Sequence, residues 1–133
     1  EMGADKTITA DSECIKKIKD LTGSGPEIII QTVGSAEADR NAFEAVGVGT
    51  RLVLVGATTE SFQLSSTEMI WSESSIHGSR GFTPTDIKEV FDLYRSGDIV
   101  TDHLTKSTKT VDQINEALES VGRSDTVRTV IEF

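Results

Sequence analysis

Few residues in this chain could carry chemistry. Two glycines stand at the ends of short apolar runs, and a third interrupts the strand Ser74–Ser79 at its turn. Gly34 follows Glu27–Val33, Gly56 follows Arg51–Val55, and Gly78 opens the turn Gly78-Ser79-Arg80-Gly81. A glycine at the carboxyl end of a strand leaves the backbone bare, so a ligand can reach main-chain groups. The same glycines can equally be turn residues that merely end a strand, and both readings stand on the residues alone. Arg128, unaided, reads as a surface strand arginine. His77 falls inside a strand. His103, beside Asp102 and near Asp98, sketches a metal site but has no third ligand at helical or hairpin spacing. Ser107, near Lys106 and Lys109, has no base oriented by a third group and reads as part of a solvated loop. Cys14 is the single cysteine, so neither an internal disulfide nor a cysteine-built zinc site can form. It falls on an apolar helix stripe and reads as a packed residue, since a reactive thiolate needs a positive, partly exposed site.

The elements that position these residues centre on Glu27–Ala57, which reads strand, helix, strand. Glu27–Val33 and Arg51–Val55 are short for helices and too uniformly apolar for a sheet with one wet face. They are expected to be parallel strands buried on both sides. Ser35 caps the intervening helix, Glu37 and Asp39 lie in its first turn, and Gly47 marks its end. Such a unit forms a right-handed crossover.

Upstream, Lys6–Thr9 is a weak strand. Asp11 or Ser12 caps a helix with Cys14, Ile18 and Leu21 along one face. Downstream, a short helix runs through Met69 to Trp71, and Ser74–Ser79 forms a strand. Thr83, Pro84 and Asp86 give the clearest helix start, at N-cap, N1 and N3. Ile87, Val90, Phe91 and Tyr94 form the stripe expected to be buried, and Gly97 ends the helix. Ile99–Thr101 is a short strand candidate, and Thr105–Thr110 is expected to be a mobile loop. Thr110 and Gln113 form a capping box for a helix with Ile114, Ala117, Leu118 and Val121 facing inward and Gly122 as its stop. Thr126–Phe133 closes the chain as a strand. Glu1-Met2-Gly3 reads as the last turn of a helix with its glycine cap, which suggests a chain cut inside an element.

The length of 133 residues suits one domain with a modest core. The formal charge of −9, from 22 acidic and 13 basic residues, argues against non-specific nucleic-acid binding. No apolar run approaches the roughly 20 residues of a membrane helix. A reducing cytoplasm is the expected setting.

Several stretches occur together in a telling order. They are Gly3-Ala4-Asp5-Lys6, Thr32-Val33-Gly34-Ser35, Val53-Leu54-Val55-Gly56, His77-Gly78-Ser79-Arg80-Gly81, Leu93-Tyr94-Arg95-Ser96-Gly97, Ile114-Asn115-Glu116-Ala117 and Val127–Phe133. In this order and spacing the chain resembles the C-terminal half of the zinc-type, medium-chain alcohol dehydrogenases. The resemblance covers nearly the whole chain.

It implies an α/β fold, a partial Rossmann-type doubly wound parallel sheet with flanking helices, contributing strands 3 to 6 of the order 3-2-1-4-5-6. Residues 1–98 would be the C-terminal part of the dinucleotide-binding domain. Residues 99–133 would be a returning segment that completes the family's domain interface. The chain has no Gly-x-Gly-x-x-Gly phosphate loop between a strand and a helix. The zinc ligands belong to the family's other, N-terminal half, so this chain alone is expected to be inactive, with no catalytic or metal residue of its own. The sheet would then have a gap. The Lys6–Thr9 strand would lose its partner and the Glu27 strand would expose an apolar edge, unless the first of these moved in to pair with the second.

The resemblance also assigns cofactor-binding positions. Thr32, Val33 and Gly34 lie under NAD or NADP, Val55, Gly56 and Ala57 form a shelf beside the nicotinamide, and Ser79, Arg80 and Gly81 complete that pocket. Arg80 departs from the apolar residue common there. Arg128 matches an arginine that pairs with the cofactor pyrophosphate. The implied function is NAD(P)-dependent hydride transfer to and from an alcohol, with zinc bound in the N-terminal half. A zinc-free quinone or enoyl reductase is the near alternative. A non-catalytic dimerisation module is the distant one, with the Ser74–Ser79 edge strand as the homo-oligomer contact.

Overall fold

A computed structural model describes residues 3–101, 104, 107–121 and 127–133. The chain divides into two compact units, 3–81 and 82–133.

The first unit begins with helix α1 (Cys14–Thr22) and then alternates strand and helix: β1 (Ile28–Gln31), α2 (Ala36–Glu44), β2 (Arg51–Leu54), α3 (Ser66–Ser72) and β3 (Ser75–Gly78). The three strands are parallel in the order β1-β2-β3. Ile28 pairs with Arg51, and Arg51 with Ser75. The expected crossover around Glu27–Ala57 is therefore present. Ser35 caps α2 through its hydroxyl, which accepts from the Ala38 amide at 3.2 Å. The helix stops at Glu44, before Gly47. Gly47 serves a different purpose, because a Cβ there would collide with the Ser24 carbonyl. The strand-entry turns press backbone to backbone at this point, and Thr50 Oγ1 stitches them by donating to Pro26 O at 2.6 Å and accepting from Gly47 N at 2.9 Å.

Burial on both sheet faces holds only at the centre. Leu52 is fully buried, but Ile28 and Ile30 are 56% and 64% exposed. The reason is the alternation of side chains along β1: Ile29 and Gln31 point to the face that carries α1 and α2, while Ile28 and Ile30 point to the opposite, open face. Lys6–Thr9 is not a strand and does not move in to pair with β1. Ile8 instead lines an apolar cavity of about 270 Å³ with Cys14, Ile15, Ile18, Ile29 and Ala42. Cys14 is buried there as expected, whereas Leu21, the third member of the α1 stripe, is exposed. Asp11 does not cap α1 directly. It accepts from Glu13 N at 2.9 Å and pairs with Lys17 at 2.7 Å, one turn into the helix. The short helix expected through Met69–Trp71 is α3, and Ser74–Ser79 contains β3 at the other sheet edge.

The second unit holds α4 (Pro84–Ser96), β4 (Ser107–Thr110), a 3-10 turn (Val111–Gln113), α5 (Ile114–Ser120) and β5 (Thr129–Glu132). The start of α4 is as expected: Thr83 N donates to Asp86 Oδ2 at 2.6 Å, and Asp86 N to Thr83 Oγ1 at 3.3 Å. Gly97 ends it in the left-handed region. The stripe Ile87, Val90, Phe91 and Tyr94 is exposed, contrary to expectation, because among the described residues no element of this unit packs closely along it. On α5 only Ala117 is buried, while Ile114 and Leu118 face solvent, as does Val121 just beyond it. Ile99–Thr101 is not a strand. Conversely, Ser107–Thr110, expected in a loop, is a strand, because β5 lies parallel to it with Ser107 opposite Thr129. The readings of Glu1-Met2 as a helix end, of Asp102 and His103 as a metal sketch, of Thr105-Lys106 as loop, of Gly122 as a stop and of Thr126 as a strand start lie outside the described residues.

Candidate functional site: the carboxyl rim of the parallel sheet

Parallel strands deliver all their carboxyl ends to one side, so the three strand-end glycines of the first unit share a rim. Thr32, Val33 and Gly34 follow β1, Val55, Gly56 and Ala57 follow β2, and Ser79, Arg80 and Gly81 follow β3. All nine are exposed except Gly56, which is half-buried. The pieces are tied across the sheet: Val55 N and Gly56 N both donate to Gln31 O, at 2.8 and 3.1 Å, and Ser79 N donates to Leu54 O at 2.9 Å.

Two of the glycines are required by this packing. A Cβ on Gly34 would strike the Ala57 carbonyl, and one on Gly56 would lie 2.6 Å from the Val33 carbonyl carbon. Gly78 differs, with no described residue within 4 Å of where its side chain would be. The rim thus combines two glycines that let protein backbones touch and one that leaves room for something else.

Three residues that support the rim were not picked out in that role by sequence reasoning. Gln31 and Asp39 are each only 6% exposed. The Gln31 side-chain amide donates to Val33 O and, at 2.6 Å, to Asp39 Oδ1. Val33 O also accepts from Ser35 N at 2.9 Å. Glu60, in the loop after β2, accepts from Ala36 N at 3.2 Å. The available signal was an amide closing a run of three isoleucines, a residue type rarely buried without a purpose. Glu60 on Ala36 N and Ser35 on Ala38 N thus engage two of the first-turn amides of α2 that would attract an anion.

Arg128 lies in the second unit, exposed, immediately before β5. His77 is an exposed β3 residue whose Nε2 is 3.1 Å from Ser75 Oγ. Among the described residues, no group of three His, Cys, Asp or Glu is placed to hold a metal ion. Among the same residues, no helix is long and apolar enough to cross a membrane.

A three-stranded parallel sheet with crossover helices and a glycine-bearing carboxyl rim defines the class, a Rossmann-type α/β domain. Family comparison narrows it. The profile of the zinc-binding dehydrogenases matches residues 1–96, and the chain belongs to that family. It is 28% identical over 122 residues to alcohol dehydrogenase class-3 of Drosophila melanogaster, covering 86% of this chain and 31% of that protein. Among solved structures, alcohol dehydrogenase TADH from Thermus sp. ATN1 superposes with a TM-score of 0.88 at 18% identity, over 98% of this chain and 39% of that one. A short chain alcohol dehydrogenase from E. coli CFT073, complexed with NADH, gives 0.84 at 20%, over 98% and 39%. The chain therefore spans about a third of the length of the relatives it matches.

Proposed function

We propose that this chain supplies the nicotinamide-side rim of an NAD(P)-dependent, zinc-type alcohol dehydrogenase. The observation that carries the reading is the shared rim: Thr32–Gly34, Val55–Ala57 and Ser79–Gly81 stand at adjacent strand ends, with open space at Gly78 among the described residues. Main-chain groups on that shelf would hold the ring amide, which fixes the face offered for hydride transfer. Arg128 would pair with the pyrophosphate through its guanidinium fork. In the whole enzyme, zinc would supply Lewis-acid polarisation of the alcohol oxygen and the nicotinamide would supply the hydride acceptor. This chain carries no zinc ligands in the reading, which assigns them to an N-terminal half.

The returning segment 99–133 would complete the interface between the family's two domains. The outer edge of β3, unpaired among the described residues, would join two copies of the enzyme. The setting that fits this chemistry is the cytoplasm.

Titration of the isotope-labelled chain with nicotinamide mononucleotide tests the reading. The amide signals of Gly34, Gly56, Ala57 and Ser79 are expected to shift, and ADP, which lacks the nicotinamide, is expected to leave them in place. ADP moving the same signals, or nicotinamide mononucleotide leaving them in place, would overturn it.

A further inference from the structure

We infer that Gln31 is a positioning residue for the cofactor rim, acting through the Val33 carbonyl and itself aimed by Asp39. The inference rests on the rim reading above and adds a residue that neither motif nor resemblance singled out.

The geometry is specific. Both hydrogens of the Gln31 amide nitrogen are spent, one on Val33 O and one on Asp39 Oδ1. The amide oxygen is buried and has no hydrogen-bond partner among the described residues. It lies 2.7 Å from where a Gly56 Cβ would be. Reversing the amide would set its oxygen against two other acceptors, so Asp39 and Val33 together dictate the orientation and leave the oxygen unpaired. A fold that needed only packing here would place an apolar side chain and strand no acceptor. What the amide adds is a clamp. The Gln31 main-chain oxygen holds the Val55 and Gly56 amides, its side chain holds the Val33 carbonyl, and Asp39 anchors it to α2. One residue thereby joins two of the three rim segments to the crossover helix. With its carbonyl turned inward to this amide and to Ser35 N, Val33 cannot rotate its peptide freely, and the Thr32–Gly34 turn keeps one orientation.

The test is a side-chain swap, Gln31→Glu combined with Asp39→Asn. It rebuilds the link to α2, because the amide introduced in place of the Asp39 carboxylate can donate to the new carboxylate on β1, but it removes the donor to Val33 O. If Gln31 positions the rim, amide exchange at Ser35, whose N–H is held by Val33 O, accelerates roughly tenfold, the equivalent of one lost hydrogen bond. The Gly34 and Gly56 signals move, and the response of the rim to nicotinamide mononucleotide is lost. Exchange in the middle of α2 stays as in the wild type, which reports that the fold is intact. A swap variant with wild-type Ser35 exchange and an undiminished response to the mononucleotide would overturn the inference. Failure of the cofactor reading looks different: the wild-type rim ignores the mononucleotide, which removes the cofactor role, while Ser35 exchange still reports whether the clamp exists.

Discussion

Gly56 and Gly78 occupy equivalent places in the sequence pattern and opposite places in the physics. At Gly56 a methyl group would press on the Val33 backbone and the Gln31 amide oxygen, and at Gly78 it would meet no described residue. Gly56→Ala is therefore expected to destabilise the chain by about 1–3 kcal/mol, the usual cost of overpacking a tight contact. Gly78→Ala should stay within about 0.5 kcal/mol, as for a surface change. Urea midpoints of the two variants check this. A rim glycine serving a bound ring should respond the other way round in a binding assay, with Gly78→Ala the more harmful to nicotinamide mononucleotide affinity. The positions of these glycines could be read from the sequence because apolar runs must stop somewhere. The division of labour between them could not, because it depends on which backbones approach from elsewhere in the chain. Gln31 stayed hidden for a related reason: its partners Val33 and Asp39 are local, but its meaning comes from the Gly56 loop that reaches it across the sheet.

Among the elements, α4 shows what local signals can and cannot fix. Its start and stop were legible because a capping box and a left-handed glycine act within a few residues. Thr83→Ala should lower helix stability by about 1 kcal/mol, visible as lost far-ultraviolet ellipticity on heating. The Asp86 carboxyl is held below its ordinary value of 3.8, first by the Thr83 main-chain amide and then by the Thr83 hydroxyl. A lowered value in the folded state means that its contribution is complete above that ordinary value. It is lost as the pH falls through the lower folded one. Acid titration of α4 ellipticity should show this step in the wild type and not in Asp86→Asn. The burial of the Ile87–Tyr94 stripe was not legible, since periodicity announces an apolar face without naming what covers it. β4 is the converse: Ser-Thr-Lys-Thr has no strand pattern of its own, and only the approach of β5 makes it one.

For the whole molecule, the parallel α/β class and the family were readable from ordered motifs, while the pairing of Lys6–Thr9 was not. A strand exists only if it pairs with a neighbour, and that segment leaves the edge of β1 untaken while its Ile8 lines the apolar cavity beside α1. The cost falls on β1, whose Ile28 and Ile30 lie on a border of the sheet that is unpaired among the described residues. Such borders recruit further strands, so the chain should self-associate as its concentration rises. Ile30→Lys should suppress that association in sedimentation velocity without lowering the urea midpoint, because the residue it replaces is already mostly in water.

The all-parallel register carries a last consequence, for the route to the native state. No pair of neighbouring strands among the described residues can close as a hairpin, because each partner waits across a helix: Ile28 for Arg51, Arg51 for Ser75, Ser107 for Thr129. Every ladder begins with the closure of a long loop, an entropic toll met before any contact rewards it. Refolding should accordingly lag behind that of a meander of the same length, and its slowest step should be sensitive to changes in α2 and α5, the bridges that bring distant strands within reach.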